Sequence, residues 1–244
     1  MAKDKVVFLT GGSRRIGANM AKYFHKKGFK LILHFNNSLE EAESLEKYFL
    51  SKRKNSCTTI QADFSDQNST DDAIRKILER TETLDVLINN ASGFFSTPIK
   101  TASKEQWITL LDTNTTIPLF LIQAFRPLLE NSKGCVINIS DSQVNSGIAK
   151  YSLYAAAKSA LESLTKSLAK ELAPNIRVNA IAPGIILWPE AEGLNEKEKL
   201  AIIKKTFLGR VGKPEDISAV AYMLYRSTYI TGQVIKVDGG RSIQ

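Results

Sequence analysis

Seven short apolar runs, each followed by a helix-length segment, constrain this chain more than any other feature. The runs fall at residues 6–10, 31–35, 57–61, 86–89, 135–140, 177–182 and 233–237. They are rich in Val, Ile and Leu and mostly continuous rather than alternating, the pattern of parallel strands covered on both faces. Helical patterns lie between them at residues 16–27 (closed by Gly28), 39–52, 68–80, within 103–129, at 151–172, from Asn195 onward and at 214–225. Ser103 and Gln106 have the spacing of a capping box. Pro118 should kink or break its helix, and Pro214 suits a first turn. No linker, repeat or low-complexity stretch interrupts the alternation over 244 residues. The expectation is one α/β domain, an open doubly wound sheet of about seven parallel strands with helices on both faces. Residues 184–207 form the one long excursion, and its irregular part, 184–195, is where a substrate loop or lid would fall.

The first strand leads into Thr10-Gly11-Gly12-Ser13-Arg14-Arg15-Ile16-Gly17. Glycines permit a tight turn, and the following helix N-terminus offers unpaired N–H groups to a pyrophosphate. At the first strand–helix junction of an alternating chain, this points to a dinucleotide. Arg14 and Arg15 suggest an additional phosphate. The second strand ends in His34-Phe35-Asn36-Asn37-Ser38, with no acidic residue before Glu40 to hold a ribose 2′-hydroxyl. The expected cofactor is therefore NADPH/NADP. His34 is either a cofactor contact or a satisfied strand histidine.

A second cluster spans residues 138–158. Tyr154 and Lys158, four apart, share a helix face, and Asp141 at the exit of the fifth strand can reach the same volume. A lysine cation would favour the phenolate and lower the tyrosine pKa from about 10. Asp141 is then either part of the chemistry or a cap for the following turn.

Composition removes other classes. The net charge is +8, but the basic residues are dispersed over separate helix ends and faces. Solvated faces and anionic ligands fit this better than nucleic acid. No apolar run approaches the ~18 residues of a membrane span, and no signal peptide is read at the N-terminus. Cys57 and Cys135 fall in strands as two buried thiols, which suits a reducing cytoplasm. No Cys/His cluster suggests a metal. His25, beside lysines on a helix, is expected at the solvated surface.

These motifs together resemble the short-chain dehydrogenase/reductases over nearly the whole chain. The resemblance rests on Thr10-Gly11…Ile16-Gly17, Asp63, Asn89-Asn90-Ala91, Asn114, Tyr154-x-x-x-Lys158, Pro183-Gly184, Tyr229-Ile-Thr-Gly232 and Val237-Asp-Gly-Gly240. It implies a Rossmann-type fold, hydride transfer with a nicotinamide cofactor, and a homotetramer. It further implies a cofactor cradle of Gly11, Ser13, Arg14, Arg15, Ile16, Gly17, His34, Asn36, Asn37, Ser38, Asp63, Phe64, Asn90, Ala91, Ser92, Tyr154, Lys158, Pro183 and Gly184. Asn114 would fix a water in the proton relay.

Three departures narrow the resemblance. Arg15 replaces the family's middle loop glycine, Ser92 follows Asn-Asn-Ala, and Asp141 stands thirteen residues before Tyr154, where the family places a serine. Ser140 is one position off. Together the departures resemble the pteridine reductases, including the dihydromonapterin reductases. That likeness implies substrate contacts from Arg15, Ser92, Phe94, Asp141, Tyr154, Leu187 and Trp188, with Phe94 stacked on a flat ring. The stretch 185–190 resembles the bacterial members' substrate loop, while Asn37 stands where some members have an arginine. The expected reaction is NADPH-dependent reduction of a dihydropterin, with dihydrofolate a further candidate, through Tyr154, Lys158 and Asp141. The rivals are a carbonyl or 3-ketoacyl reductase and a non-catalytic dinucleotide-binding module.

Overall fold

A computed structural model of the protein describes residues 4–188 and 195–243. All seven strands form: β1 (Val6–Leu9), β2 (Lys30–Phe35), β3 (Cys57–Gln61), β4 (Val86–Asn89), β5 (Cys135–Ile139), β6 (Arg177–Pro183) and β7 (Val234–Val237). They make one sheet in the order β3-β2-β1-β4-β5-β6-β7, and every pairing is parallel. The strand order reverses between β1 and β4, and the crevice beyond their carboxyl ends is where such sheets bind ligands.

The helices are α1 (Arg15–Lys26), α2 (Leu39–Lys52), α3 (Gln67–Leu78), α4 (Lys104–Leu111), α5 (Ile117–Ser132), α6 (Ser152–Glu171), α7 (Glu196–Lys204) and α8 (Pro214–Arg226). Strand side chains alternate faces, and the core divides accordingly. Val7 and Leu9 join Met20 and Phe24 of α1, Phe49 of α2 and Leu224 of α8. Val6 and Phe8 join Ile77 of α3 and Leu121 and Phe125 of α5 on the opposite face. Both faces of β4 and β5 are buried throughout, so their sequences could not alternate.

The capping box at Ser103 and Gln106 is present. Pro118 breaks the long helical segment as expected. It has no N–H to donate to the carbonyl four residues back, that of Asn114, and a π turn (Asp112–Thr116) separates α4 from α5. Such turns are frequent at functional sites.

The histidine expected at the surface needs correction. His25 is half-buried, its ring 4.7 Å from the Phe49 ring and tilted 36° to it, with its Nε2 2.8 Å from Ser56 Oγ. Residue 25 falls on the α1 face that meets α2, and burial lowers its pKa. Cys57 and Cys135 are buried free thiols, each pushed up to about 12 by burial.

Candidate active site

The phosphate loop is shaped by close approach. Gly11 has φ +60°, and a Cβ there would lie 3.1 Å from Asn90 Nδ2. At Gly17 a Cβ would sit 2.0 Å from the Gly11 carbonyl oxygen. Asn90 Nδ2 donates to the carbonyls of Thr10 and Gly11, both at 3.0 Å, tying the end of β4 to the loop. Thr10 Oγ1 accepts from the backbone N–H groups of Asn90 and Ala91, both at 2.9 Å. The first turn of α1 carries no acidic residue, so the helix N-terminus keeps its positive end for an anion. Ser13 Oγ lies 2.6 Å from Ser38 Oγ, and Ile16 packs into the core behind the loop.

Beside this loop a cavity of about 200 Å³ is lined by His34, Asn36, Asp63, Phe64, Ala91 and Ser92 among others. An apolar slot with a few polar groups, next to a glycine cradle and a helix N-terminus, fits a dinucleotide. His34 takes the structural side of its two expected roles. Its Nδ1 accepts from Gly11 N–H at 3.2 Å, so Nε2 carries the proton donated to Ala62 O at 3.0 Å. It is buried and stacks on Phe64 at 3.9 Å, and burial lowers its pKa to about 4. Asp63 accepts from the N–H and hydroxyl of Ser65, which hold its carboxyl below the usual range.

Arg14 and Arg15 diverge. Arg14 Nε lies 3.5 Å from Glu41 Oε1, and both side chains are half-exposed. Arg14, Arg15 and Lys22 share a shallow depression with Glu40 and Glu41, so the surface offered to a further phosphate is mixed in charge. Asn37 is exposed. Arg15 adopts φ +51°, the left-handed region that favours glycine. Its Nη2 donates to Trp188 O at 3.1 Å, joining the phosphate loop to the segment after β6. Residues 189–194 of the expected substrate loop lie outside the described residues.

The second cluster forms at the tip of β5. Tyr154 Oη donates to Asp141 Oδ2 at 3.2 Å, and Asp141 Oδ1 accepts from Gln143 N–H at 2.8 Å. Lys158 Nζ donates to Ile139 O at 2.7 Å. Burial raises the Asp141 pKa, opposed by Gln143 N–H, Tyr154, Lys158 and Arg241. Burial lowers Lys158 to about 8. The expectation that Lys158 lowers the Tyr154 pKa is not met. Burial and then Asp141 push that phenol well up, so Tyr154 stands as a neutral acid with a proton to give. Ser140, the near-miss serine, is committed elsewhere: it is buried and its hydroxyl donates to Glu162 Oε1 at 2.7 Å.

Asn114 is fully buried in the π turn, and its Nδ2 donates to Gly93 O at 3.0 Å and Leu110 O at 2.9 Å. It clamps the strand-β4 exit onto that turn. Phe94 is 43% exposed, but one ring face is taken by Tyr151 (4.7 Å, 8°) and its edge meets Tyr154 at 4.9 Å. Pro183 O accepts from Ser142 N–H, and Gly184 packs on Asp238. Leu187 is exposed. Sequence reasoning missed Tyr151, which its spacing of three from Tyr154 could have flagged. It also missed Arg241, for which no local signal exists.

Comparison with known proteins matches residues 11–242 to a family described as enoyl-(acyl carrier protein) reductase. A 3-oxoacyl-(acyl-carrier-protein) reductase of Chlamydia muridarum is 35% identical over 241 residues, 97% of each chain. A dihydromonapterin reductase of an Enterobacter species is 33% identical, covering 99% of this chain and 98% of its own. Pteridine reductase 1 of Leishmania tarentolae is 31% identical, covering 98% and 96%.

Proposed function

We propose, from the premise that this chain belongs to the short-chain dehydrogenase/reductase family and is an NAD(P)(H)-dependent oxidoreductase, that it reduces a dihydropterin, with NADPH preferred. The observation that carries the reading is Asp141, buried beside Tyr154 with Ser140 already bonded to Glu162. An ionised carboxylate only accepts hydrogen bonds. It would oppose the negative charge that develops on a ketone oxygen. It suits a ring that brings N–H donors or a protonated nitrogen.

When bound, a reduced nicotinamide supplies the hydride equivalent, delivered to the carbon of the ring C=N bond. The chain's own residues deal with the proton. Tyr154 Oη–H transfers it to the ring nitrogen, and solvent restores the lost proton by way of Asp141, which burial makes a better proton acceptor. Lys158 holds the tip of β5 through Ile139 O, and in this reading it also binds a cofactor ribose. Phe94 offers its remaining surface to the ring, a contact worth about 0.5–1.5 kcal/mol beyond burial. Arg15, Ser92, Leu187 and Trp188 complete the pocket, with residues 184–207 as its substrate loop. Asn114 serves by holding Gly93, with the water role as its extension.

A second reading is reduction of a 3-ketoacyl thioester, and the whole-chain comparison favours it over the first: the highest identity quoted above belongs to a 3-oxoacyl reductase. Burial of Asp141 adds a chemical route, since a neutral carboxylic acid can donate to a carbonyl oxygen. One variant separates the two. With NADPH, Asp141→Ser should lower kcat/KM for 7,8-dihydrobiopterin about 100-fold or more, and raise it for acetoacetyl-CoA. No turnover of dihydrobiopterin, dihydromonapterin or dihydrofolate by the native protein would sink the pterin reading. An NADPH/NADH ratio of kcat/KM below one would sink the cofactor preference.

A further inference from the structure

The corner where α1 and α2 begin carries its own counter-charge. Arg14, the residue before α1, has its Nε 3.5 Å from Oε1 of Glu41 in the first turn of α2, and both side chains are half-exposed. The contact is long beside the about 2.7–2.9 Å of a strong charge-assisted bond, and exposed pairs of this kind contribute little to stability. Arg15 also turns to another partner, donating through Nη2 to Trp188 O. Ser38, the residue before α2, makes no side-chain cap to its own helix, and its hydroxyl lies 2.6 Å from Ser13 Oγ in the phosphate loop. The start of α2 is thereby tied to that loop, and Glu40 and Glu41 supply the negative charge set against its helix dipole. Ser13, Arg14, Lys22, Glu40 and Glu41 line one depression of about 420 Å³.

In a sheet of this kind, the stretch after the second strand meets the ribose 2′ oxygen of a dinucleotide. Here β2 ends at Phe35, and three residues later α2 begins with its acidic first turn. A phosphate binds a guanidinium through paired bonds, so it can take Arg14 from a single carboxylate contact. It does so against the like charge of Glu41. We propose that Glu41 is a cofactor-selectivity residue: its carboxylate competes with a ribose 2′-phosphate for Arg14 and so tempers the preference for a 2′-phosphorylated dinucleotide. This rests on the reading of the crevice as a dinucleotide site that prefers NADPH. An acidic residue ending β2 would act by binding the 2′-hydroxyl. Glu41, on α2 and paired with Arg14, acts on the phosphate instead.

The test is titration calorimetry of the full chain at low ionic strength, where exposed charges are least screened. Adenosine 2′,5′-bisphosphate and 5′-AMP are the probes, and the readout is the ratio of their affinities. That ratio should rise about threefold to fivefold in Glu41→Gln and fall several-fold in Arg14→Gln. On the Arg14→Gln background, Glu41→Gln should have little further effect. Glu40→Gln removes the same charge from the depression but leaves the ion pair, and should move the ratio less. A ratio unmoved in Glu41→Gln, or raised equally with and without Arg14, overturns the proposal. If the native protein binds both probes equally, yet Glu41→Gln raises the ratio through Arg14, the competition stands and the NADPH preference falls.

Discussion

Around the β1–β4 crevice the buried polar groups are almost all paired, whereas around the tip of β5 they are not. In the crevice, Thr10, His34 and Asn90 form a closed set of bonds; among the described residues Asn89 Oδ1 is left without a partner there, as is Asn114 Oδ1 behind Gly93. Near β5, Ser142 Oγ, Gln143 Nε2 and Arg241 Nε are buried without partners among the described residues. Burial there also acts against charge on Asp141 and Lys158. The signs follow from linkage. A folded-state Asp141 pKa raised above 3.8 gives stability that is present in acid and lost as pH rises through the folded pKa. A Lys158 pKa lowered to about 8 leaves the buried cation a cost at neutral pH. The crevice is a closed scaffold, whereas the β5 tip gathers buried ionisable groups with shifted pKa values, a combination that marks candidate functional sites.

The comparison breaks most sharply at Gly17. Gly17→Ala puts a Cβ 2.0 Å from a backbone oxygen, which neither α1 nor the loop can yield without opening the Asn90 bonds. A loss of about 3 kcal/mol or more in urea unfolding is expected; a loss below about 1 kcal/mol would mean the loop is not packed as described.

His34 gives the next effect. Its folded pKa of about 4, below the ordinary 6.5, means the unfolded chain binds the proton first. Stability should fall by about 3 kcal/mol as pH drops from 6.5 to 4. Denaturant unfolding of the native protein and His34→Gln over this range checks it. The variant's slope should be the flatter by that amount, and equal slopes would remove His34 from the scaffold.

The contrast also explains what could be read from sequence. Strands, caps and the Pro118 break follow from local rules of period, hydrogen bonding and ring geometry, and they form within a residue or two of expectation. Gly11, Gly17 and Asn90 were legible because backbone approach demands those residue types. The Asp141–Tyr154 contact was legible because residue 141 follows directly on a strand whose helix begins nearby. Three features were not. The high Tyr154 pKa depends on burial by elements distant in sequence. The use of one Phe94 face depends on how residues 93–97 lie on Tyr151. The course of the C-terminal turn depends on Asp238 packing on Gly184. All three are tertiary, and no periodicity encodes them.

Arg15 is the exception within the relaxed half. A non-glycine at φ +51° carries strain of about 1 kcal/mol, and its exposed bond to Trp188 O returns little of that. Arg15→Gly should therefore be neutral or up to about 1 kcal/mol more stable in denaturant unfolding, the smallest change foreseen here. If arginine is held there for ligands, the same variant should lose several-fold in NADPH affinity and in KM for 7,8-dihydrobiopterin. A variant that is more stable and binds both equally well would make Arg15 a neutral occupant of a glycine position and remove it from the site.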